Sequence, residues 1–199
     1  EYVNRLMVAV SRVFMPLFSE REVTSGQDGL YALYANAVRY QLLVSNLFCI
    51  GLWMLGGAFI EAWIDAQYAR VCVPILQILL VAQILRGPQL LGYALLQGVA
   101  RHRWYSNVNL GFAFANLALS IAFAQRYGLI GVAAATCLTQ SLFYGFVAPG
   151  FALRMLGVSA LRYIRDTWWR TILPAVALVA TLAGLEQWHA PERLTDVLA

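Results

Sequence analysis

The stretch NLALSIAFAQRYGLIGVAAAT, residues 116–136, decides the fold class because it is apolar on nearly every face. A soluble amphipathic helix carries a charged face opposite its apolar stripe. Here the only charge is Arg126, inside a four-residue interruption at 125–128. Two apolar runs separated by so short a break predict two membrane helices joined by a tight turn.

The composition of the whole chain also indicates a membrane environment. Of 199 residues, 61% are hydrophobic and 12% are charged, and the mean hydropathy is +0.65, whereas soluble domains carry about 25% charged residues. All 14 basic residues are arginines, scattered between apolar runs, which argues against nucleic acid as a partner. The sequence therefore predicts an all-α, polytopic helical membrane protein.

The residues that usually carry chemistry are few and dispersed. Cys49, Cys72 and Cys137 lie inside apolar runs, and His102 and His189 are remote from them, so metal-ligand spacing and a disulfide framework are both lacking. The sequence also has no nucleophile paired with a base and no phosphate-binding glycine loop. We therefore expect no catalytic residue, metal or cofactor, and we do not expect an enzyme.

The apolar runs have the length that a bilayer requires. A hydrocarbon core of about 30 Å needs roughly 20 helical residues. Runs of this size, separated by charged residues, predict about six transmembrane helices, at approximately 2–18, 41–60, 71–100, 105–125, 128–153 and 171–188.

The arginines predict the sidedness of these spans. If the connections alternate between two sides, one side holds Arg21, Arg39, Arg101, Arg103, Arg154, Arg162, Arg165 and Arg170, and the other holds Arg70, Arg126 and Arg193. Because cytoplasmic loops carry the excess of arginine, segments 19–40, 101–104 and 154–170 should be cytoplasmic. We expect a multi-pass protein of the cell (inner or plasma) membrane, with 19–40 and 154–170 contacting membrane lipids at the interface.

Small and polar residues in residues 116–136 predict close helix packing. Asn116 and Ser120 share one helical stripe, and Gly128, Gly131 and Ala135 continue the pattern beyond the turn. Small residues let membrane helices approach closely, and Asn or Ser side chains bond across the interface. We interpret all five as packing residues of an antiparallel hairpin.

Three arginines within the apolar runs need another explanation, because an arginine at the bilayer centre costs about 2.5–3.5 kcal/mol. Arg5 and Arg12 lie seven residues apart on one helix face, and Arg86 precedes Gly87 and Pro88, which predict a helix break beside a cavity. These arginines could snorkel to the interface or meet a carboxylate elsewhere in a longer chain. Since the only acidic residue within the spans is Glu186, near the end of the last one, we expect these arginines to bind an anionic ligand.

Three segments carry a resemblance to a known family: YVNRLMVAVSRVFMPLFSE (2–20), LRGPQLLGYALLQGVARHRWYSNVN (85–109) and the opening stretch. Over about residues 2–185 the chain resembles the C-terminal half of an oligosaccharide or polysaccharide flippase of the multidrug/oligosaccharidyl-lipid/polysaccharide exporter superfamily. The resemblance implies two pseudo-symmetric bundles around a central cavity, with the six spans forming most of the second bundle and a missing N-terminal half as its partner.

The resemblance also implies a function. Such flippases move a polyprenyl-diphosphate-linked oligosaccharide across the membrane by alternating access, for cell-surface polysaccharide biosynthesis. It implies that Arg5, Arg12 and Arg86, with Arg39 at the cavity mouth, bind the diphosphate and sugar acids. A coupling carboxylate would have to lie in the missing half.

Three other functions stay open. A multidrug exporter of the same superfamily would need acidic residues in its cavity, and a membrane-embedded glycan polymerase or ligase would need a long catalytic loop outside the membrane. A structural scaffold would leave the arginines within the spans unexplained. We further expect that both termini are cuts in a longer chain, and that these 199 residues alone would be unstable and inactive.

Overall fold

The computed structural model describes the backbone of residues 2–99 and 103–195, and the side chains of this part except those of 2–4, 6 and 185–195. Arg101 and His102, from the predicted loop at 101–104, lie outside the described residues, as does residue 100 of the third predicted span. The described chain is helical and contains no strand, so the all-α prediction is confirmed. The helices are α1 (Tyr2–Trp63), α2 (Ala66–Gly98), α3 (Arg103–Leu142), α4 (Ala148–Leu156), α5 (Ala160–Asp166) and α6 (Trp168–Thr195), with a π-helical turn over Phe143–Val147.

Helix α1 folds back on itself at Gly26, so it consists of two arms, residues 2–25 and 27–63. The backbone there has φ 63° and ψ −166°, a conformation that essentially only glycine adopts. The arms are antiparallel, since the Phe18 and Tyr34 rings lie 6.4 Å apart and Gln41 Nε2 donates to the Met7 carbonyl oxygen over 3.3 Å.

Helix α2 returns along the second arm of α1 after a turn at Asp65. Gly87 allows the close approach, because a β-carbon there would lie 2.8 Å from Ser45 Oγ. The predicted helix break at Gly87 and Pro88 is absent, since α2 continues unbroken through Pro88 to Gly98. A proline removes one backbone hydrogen bond, and here the remaining bonds and the packing against α1 keep the helix continuous.

Helix α3 contains the predicted hairpin, with its turn at Gly128 (φ 59°, ψ −140°). The Thr139 hydroxyl on the second arm lies 3.0 Å from Asn116 Oδ1 on the first arm and 2.8 Å from the Ala135 carbonyl oxygen, and can donate to either. The arms approach closely just after the turn, where Gly131 packs against the backbone of Phe123. The interruption at 125–128 is therefore a tight turn between antiparallel arms.

The chain is a membrane protein. Three helical stretches, Met7–Trp63, Ala66–Gly98 and Arg103–Leu156, are long and apolar enough to cross a bilayer. Large apolar side chains such as Leu47, Phe114 and Leu117 are exposed on their surface, as lipid-facing residues are.

The arginine-rich segments 19–40 and 154–170 meet at one end of the bundle. Ser19 Oγ donates to the Gly98 carbonyl oxygen over 2.8 Å, and Arg39 Nε donates to the Asp166 carbonyl oxygen. The main cluster of buried side chains lies here, including Tyr34, Leu91, Leu95 and Tyr163. Because α2 and the first arm of α3 each run between the two ends of the bundle, the turns at Asp65 and Gly128 lie at the opposite end.

Candidate functional site

A polar pocket lies between α2 and the α3 hairpin. Its volume is about 160 Å³, which suits one charged group better than a whole oligosaccharide. Helix α2 contributes Arg86 to its wall, and α3 with the π-helical turn contributes the rest: Asn109, Phe112, Ala113, Asn116, Thr139, Gln140, Phe143 and Tyr144. We call this the Arg86 pocket.

Arg86 is the charged residue of this pocket. Its Nε is buried and has no hydrogen-bond partner among the described residues, and its Cζ lies 5.8 Å from the centroid of the Tyr144 ring. Among the described residues, the ion pairs are those of Asp166 with Arg162 and Arg165. Arg86 thus has an aromatic neighbour but no described counter-ion, and an unpaired guanidinium with an unused donor is suited to bind an anion.

Side-chain amides line the pocket beside this guanidinium. The Asn116 Oδ1 atom lies within hydrogen-bond distance of the Ser120 and Thr139 hydroxyls, at 3.4 and 3.0 Å. These bonds occupy the oxygen of the amide and leave its NH₂ group to donate. Asn109 and Gln140 contribute further amides to the wall. An amide can donate to a phosphate and can both donate to and accept from a sugar hydroxyl.

The π-helical turn over Phe143–Val147 forms the aromatic wall. The Phe143 ring packs 5.0 Å from Phe112 and 5.4 Å from Tyr105, measured between ring centroids. This packing fixes the turn, and Tyr144 follows directly with its ring facing Arg86. Single π-helical turns occur frequently at functional sites, since they change the direction of the following side chains.

The other predicted ligand-binding arginines lie elsewhere. Arg5 and Arg12 are exposed on the first arm of α1 and do not line the Arg86 pocket. Arg39 is half-buried at the arginine-rich end, where its Nη1 donates to Asn36 Oδ1 over 3.0 Å and its Nε donates to the Asp166 carbonyl oxygen. The structure therefore does not bring the four arginines together around one cavity of the described chain.

The five predicted packing residues lie along the α3 hairpin. The Ser120 hydroxyl donates to Asn116 Oδ1, and the Thr139 hydroxyl on the opposite arm lies within hydrogen-bond distance of the same oxygen. Gly131 is buried and Ala135 is fully buried between the arms. Gly128, at the turn, is exposed and has a positive φ. Asn116 also lines the Arg86 pocket, so its side chain borders both the helix interface and the pocket.

Sequence reasoning missed Gln140 and Tyr144 as pocket residues. The available signal was their spacing: Gln140 and Tyr144 lie four residues apart in a largely apolar segment, which places them on one helix face. The second arm of α3 and the following turn present this face toward Arg86.

Metal-ligating side chains do not cluster in the described part of the chain, where no group of three or more His, Cys, Asp or Glu residues could hold an ion. The three cysteines are free thiols. Comparison with protein-family models, curated proteins and solved structures finds no match to this chain.

Proposed function

We propose that this chain forms most of the second helical bundle of a flippase that moves polyprenyl-diphosphate-linked oligosaccharides across the membrane for cell-surface polysaccharide biosynthesis. The observation that carries the proposal is Arg86, whose buried Nε has no described partner and whose guanidinium borders an amide-lined pocket between apolar helices.

An anionic ligand explains why the cost of burying this guanidinium is tolerated. Within a bilayer an arginine is expensive unless it faces a cavity or a partner, and the Arg86 pocket contains no carboxylate. A diphosphate would supply two negatively charged groups and accept charge-assisted bonds from the guanidinium fork. The pocket would therefore hold the charged part of the lipid-linked substrate.

The amides beside Arg86 favour a glycan next to that charge. Asn109, Asn116 and Gln140 provide donors and acceptors within the same wall, and Tyr144 provides an aromatic face. Sugar hydroxyls need both kinds of hydrogen-bonding group. Because the pocket is small, the remaining sugars would extend into a wider cavity formed with a first bundle.

The proposed topology has six membrane crossings and alternating access between two bundles. The breaks at Gly26 and Gly128 divide two of the long helices into antiparallel arms, which allows more crossings than continuous helices. We propose that the arginine-rich end is cytoplasmic in the cell (inner or plasma) membrane, by the positive-inside rule. Arg5 and Arg12, exposed on the first arm of α1, would face the first bundle, and Arg39 would lie near the cavity mouth.

Ligand binding by the full-length protein tests the proposal. Nanodiscs containing wild type, Arg86→Ala or Arg86→Lys would be titrated with a fluorescent polyprenyl-diphosphate oligosaccharide, and Arg126→Ala, exposed at the opposite end, is the matched control. Hydrogen bonds to a charged group contribute about 1.5–3 kcal/mol, so alanine should weaken binding about 10- to 150-fold, with partial recovery by lysine.

Three results would contradict this function. Equal affinity of wild type and Arg86→Ala would show that the diphosphate does not bind in the Arg86 pocket. Binding of cationic amphiphiles in place of the lipid-linked glycan would move the protein to the multidrug exporters, and turnover of the glycan would make it a glycan-assembly enzyme.

A further inference from the structure

The short helix α5 is held firmly against the arginine-rich end of the bundle. Ser159 caps it, accepting from the Arg162 N–H over 3.4 Å. On its inner face the Tyr163 ring stacks on Tyr34, with centroids 6.0 Å apart. Asp166 Oδ2 accepts from the Tyr31 hydroxyl over 3.0 Å. Burial raises the pKa of Tyr163, so this inner contact stays uncharged.

The outer face of α5 borders a cleft of about 610 Å³. The apolar part of its wall is strongly exposed, with Leu161 at 79%, Ile164 at 52% and Trp169 at 72% of full exposure. The remaining wall is Ser159, Arg162 and Arg165. One cleft thus combines three exposed apolar side chains with two guanidinium groups.

The charge in this cleft is not balanced. Among the described residues, Asp166 is the one carboxylate that pairs with these guanidiniums, with 3.7 Å from Arg162 Nε to Oδ2 and 3.7 Å from Arg165 Nε to Oδ1. These distances exceed those of hydrogen bonds, so the guanidinium donors remain available. Arg162 is further positioned by the Tyr31 ring, 4.9 Å below its Cζ.

We infer that this cleft binds one anionic phospholipid of the bilayer, with its phosphodiester between Arg162 and Arg165 and an acyl chain along Leu161, Ile164 and Trp169. Adjacent positive charge and exposed apolar surface match the two parts of such a lipid. Trp169 is also of the residue type enriched at headgroup depth, and it lies in the first turn of the apolar helix α6. The lipid site requires that the chain lie in a membrane, and it is independent of which ligand the Arg86 pocket binds.

Quenching of Trp169 by brominated lipids tests this site in the full-length protein. Nanodiscs of phosphatidylcholine would receive increasing fractions of phosphatidylglycerol brominated on its acyl chain, and the signal of Trp169 is the difference between wild type and Trp169→Phe. We expect saturation at a low fraction of phosphatidylglycerol, and much weaker quenching by brominated phosphatidylcholine at the same fraction.

Paired substitutions separate charge recognition from folding. Loss of a basic residue near an anionic surface should raise the half-saturating fraction about 5-fold, and Arg162→Gln with Arg165→Gln should raise it about 30-fold. Arg162→Lys with Arg165→Lys should recover most of this loss, which unfolding of α5 would not allow. Arg70→Gln with Arg126→Gln, both exposed near the opposite end, is the control of equal charge and should leave the fraction unchanged.

Three outcomes would overturn the inference. Equal quenching by the two brominated lipids would show contact with bulk lipid without headgroup recognition. An equal effect of the control pair would show that lipid binding responds only to the net charge of the protein. Quenching by neither lipid would show that protein, either another part of the chain or a second copy, covers the cleft.

Discussion

Replacing Gly131 with alanine should force apart the two arms of the α3 hairpin. A β-carbon at Gly131 would collide with the Phe123 carbonyl oxygen, and it would lie 2.7 Å from the carbonyl carbon and 3.0 Å from Tyr127 Cβ. Two of these atoms are backbone and cannot rotate away. The arms must therefore separate, and the bond between Asn116 and Thr139 lies two turns further along the same interface.

The expected loss follows from two opposing effects. Overpacking a well-packed site costs about 1–3 kcal/mol, and a collision with backbone atoms belongs in the upper half of that range. Alanine recovers about 1 kcal/mol relative to glycine in a helix. Gly131→Ala should therefore destabilise the protein by about 1–2 kcal/mol. Gly111→Ala on the first arm, where a β-carbon meets nothing within 4 Å, should gain up to about 1 kcal/mol.

The assay is equilibrium unfolding of the full-length protein in mixed detergent micelles, monitored by circular dichroism, with Gly111→Ala as the matched control. We expect the free energies of unfolding of the two variants to differ by about 2–3 kcal/mol. Equal stability of the two variants, or a more stable Gly131→Ala, would refute the close approach of the arms.

Three further predictions use the same protein. Gly26→Ala should cost about 1–3 kcal/mol of unfolding free energy, since only glycine adopts this backbone conformation readily, and unchanged stability in micelles would argue against the break in α1. In a double-mutant cycle, Asn116→Leu and Thr139→Val should couple by about 0.6–1.7 kcal/mol; additive effects would mean that the arms are not bonded here. Tyr31→Phe removes a bond to Asp166 worth about 1.5 kcal/mol, so hydrogen exchange of the α5 amides should accelerate about 10-fold; wild-type exchange rates would show that α5 is held otherwise.

Local sequence was sufficient to predict the helical class and the hairpin turn at 125–128, and the run SGQDG (25–29) indicates a second break. Apolar runs of bilayer length predict membrane helices from composition alone. The positions of Gly26 and Gly128 are similarly local, because each glycine interrupts an apolar or helical pattern and adopts a conformation that other residues avoid. Pro88 does not follow this pattern, since a proline within a helical run predicts a break but α2 remains helical through Pro88.

The composition of the Arg86 pocket could be predicted only in part. Arg86 was conspicuous because a charge within an apolar run is costly. Gln140 and Tyr144 did not stand out in the sequence, since polar and aromatic residues are common on membrane helices. Their position beside Arg86 in the pocket wall depends on how α3 packs beside α2, and on the π-helical turn that follows α3. Such turns have no reliable sequence signal.

Arg39 illustrates a second limit. Its position in a basic segment predicts a location near the cytoplasmic surface, but its bond to the Asp166 carbonyl oxygen joins residues 127 positions apart. Only the packed bundle brings α5 over the second arm of α1. The cleft beside α5 depends on the same long-range contact, and so it could not be derived from the sequence of 154–170 alone.

The most direct measurement is transbilayer movement of a fluorescent polyprenyl-diphosphate oligosaccharide in proteoliposomes containing the full-length protein. The proposed function predicts movement by wild type and by Arg126→Ala, a loss of at least about 10-fold with Arg86→Ala, and partial recovery with Arg86→Lys. Movement at the wild-type rate by Arg86→Ala, or absence of movement by wild type with export of cationic drugs in its place, would contradict it.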